Sequence, residues 1–171
     1  MLAQNVLSFL KILLVLMGFV PNGLVIASSN TEVWQRAFLD QRHNVYGISR
    51  SGRIVQISNK GNATSLRLAP DNKTLAWLVM HEWAADGDDK PGSDELVIYR
   101  NGEAVSLRCG PLIRDYWFWR NGDQVAIDCG GKRFAGREIL YDTKTMKELE
   151  SFDQAKVPVN ERPDWSSGSG E

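Results

Sequence analysis

The residues best equipped for chemistry are gathered in one stretch, His81-Glu82-Trp83-Ala84-Ala85-Asp86-Gly87-Asp88-Asp89-Lys90-Pro91-Gly92-Ser93-Asp94-Glu95. Calcium favours oxygen ligands held on flexible loops, and Asp86, Asp88, Asp89 and Asp94 are of that kind. The glycine and the terminal glutamate are misplaced for an EF-hand, and no second histidine follows His81-Glu82 as a zinc-protease helix requires. A solvated surface loop would have the same composition. Loops on rigid scaffolds nevertheless carry recognition. The expected binding residues are therefore His81, Glu82, Trp83, Asp86, Asp88 and Asp89, with Trp83 as anchor and with no metal or cofactor.

Little else points to catalysis. His43 and His81 are the only histidines, and no Gly-x-Ser-x-Gly elbow is present. No spacing of carboxylates singles out a pair for glycoside chemistry. The expectation is a non-catalytic protein. The alternative is a small envelope hydrolase using a histidine–carboxylate site near His81. Cys109 and Cys129 are the only cysteines. In an oxidising compartment two such thiols form a disulfide, whereas a tetrahedral metal site would need more ligands.

The elements that would position these residues read as strands. Short β-branched and aromatic runs alternate with turn residues. They are Val45–Ser49, Arg53–Ser58, Thr64–Leu68, Thr74–Met80, Glu95–Arg100, Glu103–Leu107, Tyr116–Arg120, Gln124–Cys129, Arg137–Asp142 and Lys147–Phe152. Asn101-Gly102 and Asn121-Gly122 are hairpin signals, because both residue types tolerate positive φ. Thr31 to Arg42 reads as a helix, with Val33, Trp34, Phe38 and Leu39 loosely on one side. The chain also repeats itself. Asp71–Trp77 is echoed by Asn121–Ile127, and Leu96–Gly102 by Ile139–Lys144. A period of roughly 40 to 50 residues marks stacked sheet units. One unit runs from Thr64 to Leu107, the next from Tyr116 to Phe152, and Val45–Ser58 is the outer half of a preceding one.

The N-terminus has Lys11, an apolar run from Ile12 to Val20, the breaker Pro21-Asn22-Gly23 and small residues at Ala27-Ser28-Ser29. That is the grammar of a secretory signal peptide. An uncleaved membrane anchor is the alternative, but a spanning helix wants about 20 uninterrupted apolar residues. The expected layout is a signal peptide over 1–27, an N-terminal segment over 28–44, a β domain over 45–160 and a disordered tail over 161–171. The expected location is periplasmic or secreted. Twenty basic and 21 acidic residues nearly cancel, which argues against nucleic acid as a partner. The six tryptophans suit a β core, and ligand stacking is the sharper role for some of them. Asn62-Ala63-Thr64 is a glycosylation sequon, relevant only to a eukaryotic secretory route.

Leu68-Ala69-Pro70-Asp71-Asn72-Lys73-Thr74-Leu75-Ala76-Trp77 resembles the first turn of TolB-type and WD-like β-propeller blades. Leu140–Leu149 resembles their third-to-fourth-strand hairpin, and Arg162-Pro163-Asp164-Trp165-Ser166-Ser167-Gly168 resembles the opening of one more blade. The Gly-His and Trp-Asp pairs of true WD repeats are absent. The resemblance implies an all-β fold of antiparallel four-stranded sheets forming an incomplete propeller. It also implies a role in binding a protein or envelope partner outside the cytoplasm, with membrane contact only if the leader stays attached. Propellers typically need four to eight blades, and open edges invite pairing. Three ways of closing follow: an open monomeric stack with edges covered by the N-terminal segment, a homodimer giving a six-bladed ring, or pairing of the Trp165 segment with Val45–Ser58. The monomeric stack is slightly preferred.

Overall fold

The computed structural model describes residues 32–81, 92–131 and 134–167. They form three antiparallel sheets in chain order. Sheet 1 holds β1 (Trp34–Leu39), β2 (Val45–Ser49) and β3 (Ile54–Gln56). Sheet 2 holds β4 (Ala63–Leu68), β5 (Thr74–Val79), β6 (Glu95–Arg100) and β7 (Glu103–Arg108). Sheet 3 holds β8 (Ile113–Trp119), β9 (Gln124–Cys129), β10 (Arg137–Asp142) and β11 (Glu148–Asp153). Each strand pairs with its sequence neighbour within its sheet, and no sheet closes on itself. The fold is therefore all-β and propeller-like, with the two internal echoes falling on β5 and β9 and on β6 and β10.

Strand period two explains how the sheets stack. On β5, Leu75, Trp77 and Val79 face sheet 1, packing with Trp34 and Val45. The intervening Ala76 and Leu78 face sheet 3, packing with Tyr116, Val125 and Ile127. Sheet 2 is thus apolar on both faces, and β5 is buried along its whole length. Tyr116 is fully buried between sheets 2 and 3. Its hydroxyl donates to the carbonyls of Ser65 (2.5 Å) and Ala76 (2.7 Å). Burial pushes that phenol above its ordinary pKa. A bulge in β4 between Thr64 and Arg67, with Ser65 at φ 51°, aims the Ser65 carbonyl at it. Close approach also demands glycine at 47, where a Cβ would stand 2.5 Å from the Trp34 ring.

Three expectations need correction. The segment read as a helix over Thr31–Arg42 is strand β1 from Trp34 to Leu39. A register shift between Trp34 and Arg36 puts Gln35 and Arg36 both at the surface, and this break in alternation imitates helical spacing. The tail read as disordered over 161–171 packs through Ser167, with Trp165 and Ser166 each 5% exposed; 168–171 lie outside the described residues. The Trp165 segment does not pair with Val45–Ser58, because Trp165 packs on sheet 3 with Leu140 and Phe152. The proposed signal peptide or anchor, 1–27, also lies outside the described residues.

Candidate binding cleft

Strand β8 decides where the aromatic residues go. Tyr116 packs in the core between sheets 2 and 3, and Phe118 packs against that core. Trp117 and Trp119 turn to the far face of sheet 3, against Ala126, Leu140, Phe152 and Trp165. That face would otherwise be open. Residues 162–167 cross it as a strap, with Trp165 as the inserted side chain. The Trp165 ring lies 5.5 Å from the Phe152 ring. Its Nε1 donates to Glu150 Oε2 (2.8 Å), and its carbonyl accepts from Trp117 Nε1 (2.8 Å).

The strap is fastened at Glu138. This β10 side chain is fully buried. Its carboxylate accepts from the Ser167 hydroxyl (2.7 Å), the Ser167 amide (3.0 Å) and Gln154 Nε2 (2.8 Å). Burial works to raise the pKa of this acid, but the hydrogen bonds from Gln154, Ser167 and Ser166 outweigh it and hold the carboxyl below its ordinary 4.5. A buried carboxylate with several donors is the arrangement that keeps a charge tolerable inside a protein.

Between strap and β8 lies a cleft of about 310 Å³ lined by Asp115, Trp117, Trp119, Asp164, Trp165 and Ser166, with Ser167. The indole N–H groups of Trp117 and Trp165 are spent within the protein. What the cleft offers is the half-buried rings of Trp117 and Trp119, with Asp115 and Asp164 in its lining. Asp115 is itself tied to Arg67 (2.8 Å), whose guanidinium sits 4.7 Å over the Tyr116 ring.

Of the residues expected to bind, Glu82, Trp83, Asp86, Asp88 and Asp89 lie outside the described residues. His81 is described. It bridges to Gly92 across the neck of the loop, and its Nε2 stands 2.9 Å from Asp94 Oδ1. Asp94 and Glu95 in turn flank Arg108, whose Nη2 reaches Glu95 Oε2 at 2.6 Å. A histidine beside a carboxylate is the orienting half of an acid–base pair. Among the described residues no group of three or more His, Cys, Asp or Glu side chains is placed to hold a metal.

Cys109, in the connection before β8, and Cys129, at the end of β9, form a disulfide with Cα atoms 5.9 Å apart. That separation is typical of such a bridge. It ties the end of sheet 2 to the end of β9, the second strand of sheet 3.

No protein-family model matches the chain, and no curated protein does. Among solved structures it is similar to the β-propeller domain of the trilobed protease from Pyrococcus furiosus, described as having an open velcro topology. That match has 18% identity, TM-score 0.45 and coverage of 68% of this chain and 37% of that one. It is also similar to a putative 6-phosphogluconolactonase from Bacteroides fragilis, with 12% identity, TM-score 0.40 and coverage of 72% of this chain and 40% of that one. The chain thus spans about two fifths of the length of these structures.

Sequence reasoning passed over this cleft. One signal was available: Trp117 and Trp119 stand two apart on a strand, so they share a face opposite to Tyr116 and Phe118.

Proposed function

We propose that the chain is an exported, non-catalytic binding protein that engages a protein or envelope component through the Trp117–Trp119–Trp165 cleft. The observation behind this reading is a cleft lined by Trp117, Trp119 and Trp165 on a β-sheet, with the indole donors of Trp117 and Trp165 already satisfied. Tryptophan dominates binding energy where it is held in place before the partner arrives. Export is supported by the Cys109–Cys129 pairing, which fits an oxidising compartment. The resemblance to TolB-type blades leans the same way.

The test has two arms. The N-terminal sequence of the secreted or periplasmic protein should begin near Ser28 or Asn30. A photo-crosslinking amino acid at position 119 should yield a discrete adduct with an exported protein or envelope polymer, and the same probe at Lys147 should not. Retention of the chain in the cytoplasm would sink the export reading. Equal labelling from both positions would sink the cleft.

A further inference from the structure

The direction of β1 shows which strand sheet 1 lacks. In sheets 2 and 3 the first strand runs to a turn and the second returns from it. The start of β1 lies at the β4–β5 turn, where the Trp34 amide donates to the Asn72 carbonyl (2.7 Å). The turn that ends β1 lies at the start of β4, where the Ala63 amide donates to the His43 carbonyl (3.1 Å). Strand β1 therefore runs against β4 and with β5. It occupies the place of a second strand, β2 and β3 are the third and fourth, and no first strand is present among the described residues. One edge of β1 has no strand partner among the described residues.

The strap is the counterpart of that absence. It follows a fourth strand, β11, where the first strand of a next sheet belongs. It also lies against β8, through Trp117 and Trp165, as β4 lies against β8 through Arg67 to Asp115 and Ser65 to Tyr116. The two ends match in charge as well. Between residues 32 and 62 there are five basic side chains against two acidic ones, with Arg36, Arg42 and Arg53 exposed. Between 148 and 167 there are five acidic side chains against two basic ones, with Glu150, Glu161 and Asp164 exposed. The outward face of sheet 1 carries an apolar cluster beside Arg36 and Gln56: Phe38 stacks on Tyr46 at 5.4 Å, and Ile54 is 62% exposed opposite Ile48.

We propose that two copies of this chain close a ring of six sheets, the strap of each copy supplying the innermost strand that is not among the described residues of the other's first sheet. Like charge at each end disfavours head-to-head pairing, whereas opposite charge favours head-to-tail pairing. Three sheets cannot close alone, while six lie within the usual range for propellers. Head-to-tail contacts that close at two copies give a discrete dimer, and those that do not close give fibres. Ring closure sets the second copy's first sheet on the face of sheet 3 that carries the cleft, so this inference and the proposed binding role draw on the same surface.

Light scattering on a sizing column, run as a dilution series of the full chain, tests it. The expected species is twice the chain mass. The full-length variant R36E/R42E should dissociate at roughly tenfold higher concentration at low salt, with the difference fading as salt screens the charges. A chain ending at Pro158 should be monomeric. A monomer at every concentration overturns the proposal, as does a dimer that survives loss of the strap or an assembly larger than two copies. The charge-reversal variant alters exposed side chains only, so it decides the matter even if the shortened chain fails to fold.

Discussion

Replacing Glu138 with glutamine should loosen the strap without disturbing the sheets. Burying the Trp165 side chain removes about 200 Å² from water, worth about 5 kcal/mol as an upper figure. Fixing the six residues 162–167 costs about 9 kcal/mol at a middle value of 1.5 per residue. Tryptophan burial alone therefore leaves the strap open. Three hydrogen bonds to carboxylates make up the difference: the amide and hydroxyl of Ser167 to Glu138, and Trp165 Nε1 to Glu150. At about 1.5–3 kcal/mol each, they hold it closed by a few kcal/mol. Glutamine keeps the shape but sets an amide donor against the donors of Ser167 and Gln154. Losing one charge-assisted bond should raise the open fraction about 10- to 100-fold. Chymotrypsin cleavage after Trp165, which is 5% exposed, reads that fraction when reclosing is fast. The pH dependence follows from the carboxyl held below 4.5. Its contribution is full above the unfolded value and is lost as pH falls through the lower folded value. With pepsin, which is active in acid, cleavage of the parent protein near Trp165 should therefore accelerate in that acid window, while E138Q should already be fast to chymotrypsin at neutral pH and respond less to acid. Rates within threefold of each other, with the same acid response, would refute the assignment of Glu138 as the fastener.

Reducing the Cys109–Cys129 bridge, which spans 20 residues, should cost about 3 kcal/mol in the chain-entropy model. Thermal unfolding with and without reductant should differ by about 10 °C, and a shift near zero would mean that the bridge constrains nothing. Gly47→Ala drives a methyl group to 2.5 Å from the Trp34 ring and should cost about 1–3 kcal/mol in denaturant titrations; an unchanged midpoint would show that sheet 1 packs loosely on sheet 2. Tyr116→Phe strips a shared donor from the Ser65 and Ala76 carbonyls and should cost about 1–3 kcal/mol. A neutral result would mean that water replaces the hydroxyl.

Hairpin chemistry was readable because it is local. Asn101 and Gly102 adopt φ of 55° and 85°, and Asn72 and Asn121 each sit at 57°, the conformation for which asparagine and glycine are chosen. Each marks a reversal that the strand pattern then extends. Strand β1 escaped because its bulge breaks the two-residue period within six residues, leaving too few positions to correct the reading. The strap escaped for a different reason. Its proline and two serines, with glycines following in the sequence, have the composition of a linker, and its order comes from one tryptophan and one carboxylate supplied from 29 residues away. No local rule sees such a partner. Nothing in the sequence singles out Glu138 within Arg137–Asp142, and its burial is visible only in the packed structure.

The same contrast says where a binding surface would lie. In sheet 2, β5 is saturated, its apolar side chains packed on both neighbouring sheets. The faces able to bind are those at the ends of the stack, where the alternation that buries one set of side chains must present the other set to something outside. At one end that set is Phe38, Tyr46, Ile48 and Ile54; at the other it is Trp117 and Trp119 under a strap. A chain selected only to hide these faces could shorten or charge the end strands, as edge strands commonly do. This one instead spends two tryptophans, a buried glutamate and six ordered residues on one end. That expense is intelligible if the end is a place of contact rather than a mere cover.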